Sequence, residues 1–349
     1  MARNSMPITR RETAKYLGLA GLGGLAGCLG DDDNGDDDTD TSPGDDGDDG
    51  DAPLVEVGKA SGEGTTGLIA NAIQDEGLDA EQGFSMDLTM FTSPPEVQQQ
   101  LVLNDDINVG YMGEVVATRN WAEGNQIQLV GPYMDYNAYV LVREEDDIEE
   151  PQDLAGRSIN WASAEADAWL KTAIAFDIGY DVPPEELELN EVAPPASIEL
   201  LADGELDSIL LHEPLTTGAL LNHDFEVLMH PGEVWTAETG LPLTTVDMAW
   251  EASWYEENQD IAEGVATAVR EGQEYVHENL GDVLEQYQDF AGIQSEEHLE
   301  SATERMPELF EVEWGEERRE SGLAIAEYAY DIGLVDVEPT EDIYNVMDV

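Results

Sequence analysis

Residues 103–114 read LNDDINVGYMGE, and residues 202–213 read ADGELDSILLHE. Laid over one another, Asp106-Ile107-Asn108 meets Glu205-Leu206-Asp207, and Glu114 meets Glu213. With one gap, IQLV (127–130) meets FEVL (225–228). Identity along the overlay is low, and patterning common to all strands would account for it. The other reading is two similar α/β lobes, the first interrupted by the second and completed by 243–349.

Around both stretches the chain alternates between two periods. Phe84, Met86, Leu88 and Met90 recur at every second residue, the spacing of a strand. PPEVQQQLVL (94–103) opens on prolines and carries Val97, Leu101 and Val102 at helical spacing. Strands are expected over 54–59, 106–112 and 127–133, and helices over 66–76 and 113–124. A second series begins with a strand at 138–144. It continues with a strand at 158–161, a helix at 165–179 and further alternation to 229. One more strand, 243–250, precedes helices at 259–279, 281–291, 296–306 and 315–332. Strand–helix alternation with short connections predicts mainly parallel sheets covered by helices. Lobe 1 is expected to comprise 54–137 and 241–349 with the C-terminal helices, and lobe 2 to comprise 138–240. The crossovers fall near Tyr136–Tyr139 and Gly240–Thr245.

The N-terminal 53 residues read differently. Arg10 and Arg11 precede a 14-residue apolar run, Tyr16 to Leu29, that contains five glycines. A bilayer span needs roughly 20 apolar residues. Basic residues, a short apolar region and small residues at a cut site describe an export signal over 1–28. The paired arginines point to the twin-arginine route, although Thr13 and Ala14 stand where such signals usually carry bulky apolar residues. Leu25-Ala26-Gly27-Cys28 looks like a lipobox, which makes Cys28 the expected lipidation site. Cys28 is the only cysteine, so no intrachain disulfide or thiolate metal cluster forms. Within 29–53, residues 31–51 hold 12 aspartates and no apolar residue. Such a run repels itself and cannot bury a core, so it reads as a disordered tether.

Charge bounds the environment. The whole chain has 79 acidic and 13 basic residues, a formal net charge of −66. Setting aside Glu12, the 12 tether aspartates, Arg3, Arg10, Arg11 and Lys15 leaves about −57 on residues 52–349. That charge opposes compaction unless salt screens it, and the screening length falls from about 10 Å at 0.1 M to about 3 Å at 1 M. The composition implies multimolar salt and an extreme halophile, archaeal in type. No basic patch meets phosphates, which argues against nucleic acid as a partner.

Residues 61–67, SGEGTTG, spell G-x-G-x-x-G between a strand and a helix, the dinucleotide fingerprint. That site needs an acid at the end of the second strand, about 20 residues on, to hold the ribose hydroxyls. The second strand instead ends Met90-Phe91-Thr92-Ser93. The better reading is a ligand loop with Ser61, Thr65 and Thr66 as donors, or a plain helix cap by Thr65 or Thr66. In open α/β sheets, ligands sit beyond the carboxyl ends of the strands. Here those ends are Ala60–Thr66, Thr92-Ser93, Met112–Glu114, Ala162–Asp167, Leu211–Pro214 and Thr239–Pro242.

The domain resembles the solute-binding lipoproteins of ABC importers in the nitrate/sulfonate/taurine and thiamine-pyrimidine-precursor group. Three segments in this order carry the resemblance: 101–131, 138–174 and 196–220. It extends from about 54 to 330. It implies an α/β, type II periplasmic binding-protein fold, with two lobes around a cleft and a C-terminal helical segment. In that family, the turn that reads DLAGRSI here (153–159) and the following loop, Ala162–Asp167, help to form the binding wall of the second lobe. The usual W-E-P tripeptide stands here as His212-Glu213-Pro214. The resemblance implies a small-molecule solute, an ABC permease with its ATPase as partners, a monomer anchored outside the cell membrane, no cofactor and no catalysis.

The expected ligand-binding set is Ser61, Thr65, Thr66, Gly113, Glu114, Asn137, Trp161, Ser163, Asp167, His212 and Glu213. A sulfonate or nitrate would use helix N-termini, each giving roughly 0.3–1 kcal/mol, with Lys59 and Lys171 the nearest of the cations Lys59, Arg119, Arg143, Arg157 and Lys171. Glu63, Glu114, Glu165, Asp167 and Glu213 suit an amine or aminopyrimidine instead, with Trp161 as a stacking surface. Trp169, mid-helix, reads as core. His223, His230, His277 and His298 lack metal-ligand spacing, and the aspartate run lacks a calcium loop. Pyrimidine-biosynthesis enzymes share the fold, but those relatives carry a cysteine-rich motif that Cys28 alone does not supply. A surface or adhesive protein using the aspartate run as a stalk is a third class, and it predicts no cleft.

Overall fold

The structure, a computed structural model, describes residues 52–60, 65–103, 106–347 and 349. The export signal with Cys28, the tether through residue 51, Ser61 and Glu63 lie outside the described residues. The first elements are β1 (Leu54–Ala60), α1 (Thr66–Glu76), α2 (Leu78–Glu81), β2 (Ser85–Phe91), α3 (Pro94–Leu103), β3 (Val109–Met112), α4 (Glu114–Glu123) and β4 (Ile127–Pro132). Then come β5 (Ala138–Arg143), β6 (Ser158–Trp161), α5 (Asp167–Tyr180), β7 (Glu188–Glu191), α6 (Pro194–Ala202), β8 (Ser208–His212), α7 (Leu215–Asn222), β9 (Phe225–Met229) and α8 (Pro231–Thr239). The chain ends with β10 (Asp247–Glu251), α9 (Ala252–Glu257), α10 (Gln259–Glu278), α11 (Leu280–Gln286), α12 (Gln288–Ala291), α13 (Glu296–Arg305) and α14 (Glu316–Asp331).

Two five-stranded sheets result, ordered β2-β1-β3-β10-β4 and β7-β6-β8-β5-β9. Their orders match strand for strand. In the first, β1 pairs parallel with β2 and β3, and β10 runs antiparallel between β3 and β4. In the second, β6 pairs parallel with β7 and β8, and β5 runs antiparallel between β8 and β9. The overlay of 103–114 on 202–213 puts β3 on β8, and the gapped overlay puts β4 on β9.

The antiparallel strand of each sheet adjoins a crossover. Residues 133–137 lead out of the first sheet, residues 241–246 lead back, and the two segments bond to each other. Tyr136 N–H donates to Leu243 O (2.8 Å), Thr245 N–H to Met134 O (3.1 Å) and Tyr133 N–H to Val246 O (3.0 Å). These hydrogen bonds join the sheets through a short two-stranded ribbon.

Each sheet has its own apolar core. Val57, Val109, Leu129, Met248 and Trp250 pack with residues of α1 and α10 against the first. Val140, Ile159 and Leu210 pack with Leu170, Ala173 and Phe176 of α5 against the second, and Trp169 joins them there. Helix α14 belongs to both halves: Ile325 and Ala329 enter the second core while Leu323 packs on the first. After it, Tyr344 bridges Leu129 of β4.

Some elements differ from the sequence reading. The alternation in β2 breaks at its end, where Met90 is exposed and Phe91 buried, because β2 is an edge strand with one partner. Strand β3 begins at Val109, and residues 243–246 form crossover rather than strand. The 281–291 helix is two, α11 and α12. Helices α2, α8 and α9 were not anticipated, although α8 carries Pro231 in its first turn and a left-handed Gly240 after its last.

Candidate functional site

At the end of β1, the third glycine of the 62–67 pattern is explained by packing. A methyl group on Gly67 would overlap the Phe290 ring of α12. Phe290 also lies 5.5 Å from the Lys59 ammonium, which bonds Asn71 and is buried. Burial lowers the Lys59 pKa, opposed by the Asp75 carboxylate. Thr65 stands at the start of α1 without making a side-chain cap, so the capping expectation fails there. Its hydroxyl contacts Met134 S (2.8 Å) and accepts from Asn137 Nδ2 (2.8 Å). Asn137 is buried in the outgoing crossover, and its backbone N–H donates to Thr245 Oγ1 (3.2 Å). Thr66 opens α1 beside the buried Tyr111.

The end of β3 meets the start of α5. Asp167 reaches across and takes the N-terminus of α4, accepting from Gly113 N–H (3.2 Å) and Val116 N–H (3.4 Å). A methyl group at 113 would overlap that carboxyl, so glycine there leaves room for Asp167. Glu114 pairs with Lys171 across the same junction (2.5 Å). The Lys171 ammonium also donates to Thr244 O (3.0 Å) and Thr245 O (3.1 Å), and its side chain is 0% exposed. Burial alone would lower its pKa, but Glu114 and Asp167 more than offset that and its pKa is raised. Asp247 of β10, 4% exposed, lies in the same buried group beside the Tyr344 hydroxyl.

A second junction lies at the end of β8. Glu213, 0% exposed, accepts from Thr217 N–H (3.0 Å) and Thr217 Oγ1 (2.7 Å) through one oxygen and from Arg305 Nε (3.0 Å) through the other. His298 of α13 bonds Pro214 O (2.9 Å), and the Arg305 guanidinium lies 5.4 Å from the Tyr139 ring. Trp161 is buried edge-on to His212, with ring centroids 6.0 Å apart. Its indole N–H is buried without a hydrogen-bond partner among the described residues. Ser163 turns its hydroxyl to Glu165 N–H (3.2 Å) within its own loop.

Eight of the eleven expected residues therefore fall into three groups. Thr65 and Asn137 join at the crossover; Gly113, Glu114 and Asp167 join at the α4–α5 junction; Trp161, His212 and Glu213 gather at the end of the second sheet. Asp247, Tyr344, Arg305 and His298 complete these groups and were missed. Asp247 left a signal, an acid inside the apolar run VDMAW. The five cations singled out above are all engaged within the protein, Lys59 and Lys171 as described. Arg119 bonds Leu334 O, Arg143 bonds Leu201 O and Asp146, and Arg157 bonds Asp147. Among the described residues no cluster of three or more histidine, aspartate or glutamate side chains suits a metal ion. A cavity of about 410 Å³ opens beside the crossovers, lined by Asp135, Tyr136, His230, Glu233 and Leu243 among others.

A family model described as NMT1/THI5 like matches residues 66–279, more than half of the chain. The chain belongs to the NMT1/THI5-like family. Among solved structures it is similar to the periplasmic aliphatic sulphonate-binding protein of Escherichia coli (TM-score 0.65, 16% identity, covering 83% of this chain and 90% of that one). It is also similar to the alkanesulfonate-binding protein of Xanthomonas axonopodis pv. citri bound to MOPS (0.64, 13%, 85% and 99%). The periplasmic nitrate-binding protein of Synechocystis PCC 6803 is a further match (0.62, 12%, 83% and 84%). No curated protein matches. This NMT1/THI5-like chain has the type II periplasmic binding-protein fold, with the matched region running from α1 to the end of α10.

Proposed function

We propose that the chain is the extracytoplasmic solute-binding component of an ABC importer, closing two lobes around a small solute and delivering it to the permease. One observation carries this reading: two sheets of matching order bring their strand ends together, and Gly113 of one bonds Asp167 of the other. In this reading lobe 1 is 54–137 with 241–349 and lobe 2 is 138–240, hinged on the paired crossovers. The ligand wall draws on Thr65, Thr66, Asn137, Trp161, Ser163 and His212, with Gly113, Glu114, Asp167 and Glu213 framing it. The receptor is a monomer without catalytic activity, held to the outer membrane face by a lipid on Cys28 and working in concentrated salt. A small sulfonate, nitrate or taurine-like solute is the first class to test, in line with what the similar structures bind. An aminopyrimidine or similar heterocycle is the second. It is favoured by Asp167, which already fills the N-terminus of α4 that an anion would use.

Thermal-shift screening in about 2–4 M KCl, the regime the charge demands, tests this with taurine, alkanesulfonates, nitrate and aminopyrimidines. A ligand at 100 times its Kd adds about 2.7 kcal/mol to the folded state, a plain rise in melting temperature. Turnover of a solute by the isolated chain would instead support the enzyme class. Exchanging Cys28→Ser releases the protein from membranes if the anchor is right, and leaves it bound if it is not.

A further inference from the structure

The buried group between the halves holds more acid than base. Glu114 enters it from α4, Asp167 and Lys171 from α5, and Asp247 from β10, with the Tyr344 hydroxyl against Asp247. Arg318 of α14 is the other charge that acts on it, and Arg318 is itself engaged by Asp135 (2.6 Å). All four of the enclosed charged side chains are 4% exposed or less. Three carboxyl groups around one ammonium cannot all stay ionised in so dry a place, because a buried charge requires a partner of opposite sign. One carboxyl must keep its proton while the junction stays closed.

The positions of these groups tie that proton to motion. Glu114 and Asp247 belong to the half built on the first sheet, Lys171 and Asp167 to the half built on the second. Lys171 also bonds the returning crossover at Thr244 and Thr245. Parting the halves brings water to the carboxyl groups and restores their ordinary acidity. We propose that the two halves close with uptake of a proton, held by the Glu114, Asp167 and Asp247 carboxyl cluster around Lys171. Acid then favours the closed receptor and alkali the open one. The proposal rests on the receptor reading above, since it concerns how the lobes move around their solute.

The direction of titration agrees. Burial, reinforced by Glu114, pushes Asp247 up to about 8 despite Lys171, Arg318 and Tyr344. Burial likewise pushes Asp167 up to about 6, opposed by Lys171 and the two backbone N–H groups of α4. A carboxyl whose pKa is raised in the closed form stabilises that form fully below its open-state value. The stabilisation is lost as pH rises through the closed-state values, here from about 6 to about 8. For one proton, the closing equilibrium weakens about tenfold per pH unit within that window and levels off above it.

The test is the distribution of distances between labels on Glu81→Cys and Glu226→Cys, both exposed and one in each half, in the full chain carrying Cys28→Ser. Wild type at the cluster should show the closed-to-open ratio falling about tenfold per pH unit between about 6.5 and 8. Asp247→Asn keeps the size of the side chain but not its charge, and should flatten that dependence while remaining closed; circular dichroism confirms its fold. Lys171→Met should shift the dependence to higher pH. Two populations whose ratio ignores pH overturn the proton linkage and leave the receptor reading standing. A single population at every pH, with a pH-dependent unfolding free energy that Asp247→Asn abolishes, overturns the motion itself and with it the receptor reading. An unchanged pH dependence in a folded Asp247→Asn variant excludes Asp247 as the proton carrier.

Discussion

Glu114 and Glu213 occupy the same place in the two halves, just beyond the central strand of each sheet. Each takes a cation from across the junction, Lys171 for Glu114 and Arg305 for Glu213. Their surroundings differ. Lys171 is 0% exposed and shares its site with Asp167 and Asp247, whereas the Arg305 side chain is 36% exposed and Glu213 keeps two hydrogen bonds from Thr217. The residues before them differ as well: Gly113 makes room for the Asp167 carboxyl, while His212 faces Trp161. One pair is a sealed bolt between the halves and the other an open contact near solvent. A duplicated architecture thus supports two junctions of unequal strength, one at the crossovers and one where α13 reaches α7.

That inequality can be broken in order. Lys171→Met strands buried carboxyl groups without a counterion, and removing one partner of such a pair costs about 3–5 kcal/mol; urea unfolding at neutral pH should show the loss. Gly113→Ala forces the Asp167 carboxyl out of the α4 N-terminus and should cost about 2 kcal/mol, within the range for overpacking. The equivalent change in the other half, His212→Ala, should cost under about 1 kcal/mol, because it creates space rather than a clash. Arg305→Met removes a half-exposed cation while Thr217 still satisfies Glu213, and should cost about 1.5 kcal/mol. If Arg305→Met proves as damaging as Lys171→Met, the two junctions are equivalent and the contrast is wrong. Thr65→Val, which removes the acceptor for Asn137, should cost about 1 kcal/mol.

The alternating periods made most of the fold legible. The strand ends, the order of the two series and both crossovers could be read because strand and helix spacing differ and because Gly124, Gly240 and the paired prolines punctuate them. Met90 misled, since an edge strand need not bury alternate residues. The site was legible as loops but not as contacts. Gly113 could be named from its place after β3, yet nothing local says that its missing side chain admits a carboxylate from residue 167. Lys171 looked like a cation for an anionic solute because its partner, Glu114, lies 57 positions away in the chain. Arg305 and Tyr344 were invisible for the same reason: helix α13 and the segment after α14 fold back onto sheets formed much earlier. Long-range pairing of charges leaves no periodic trace, whereas packing of apolar faces does.

The central claim is that the solute lies between the ends of the two sheets. A crystal structure of the chain with the solute that raises its melting temperature tests this directly. The account places that molecule among Thr65, Asn137, Trp161 and His212, touching residues from both halves. A molecule bound only in the cavity lined by Tyr136, His230 and Glu233, or on one half alone, would contradict it.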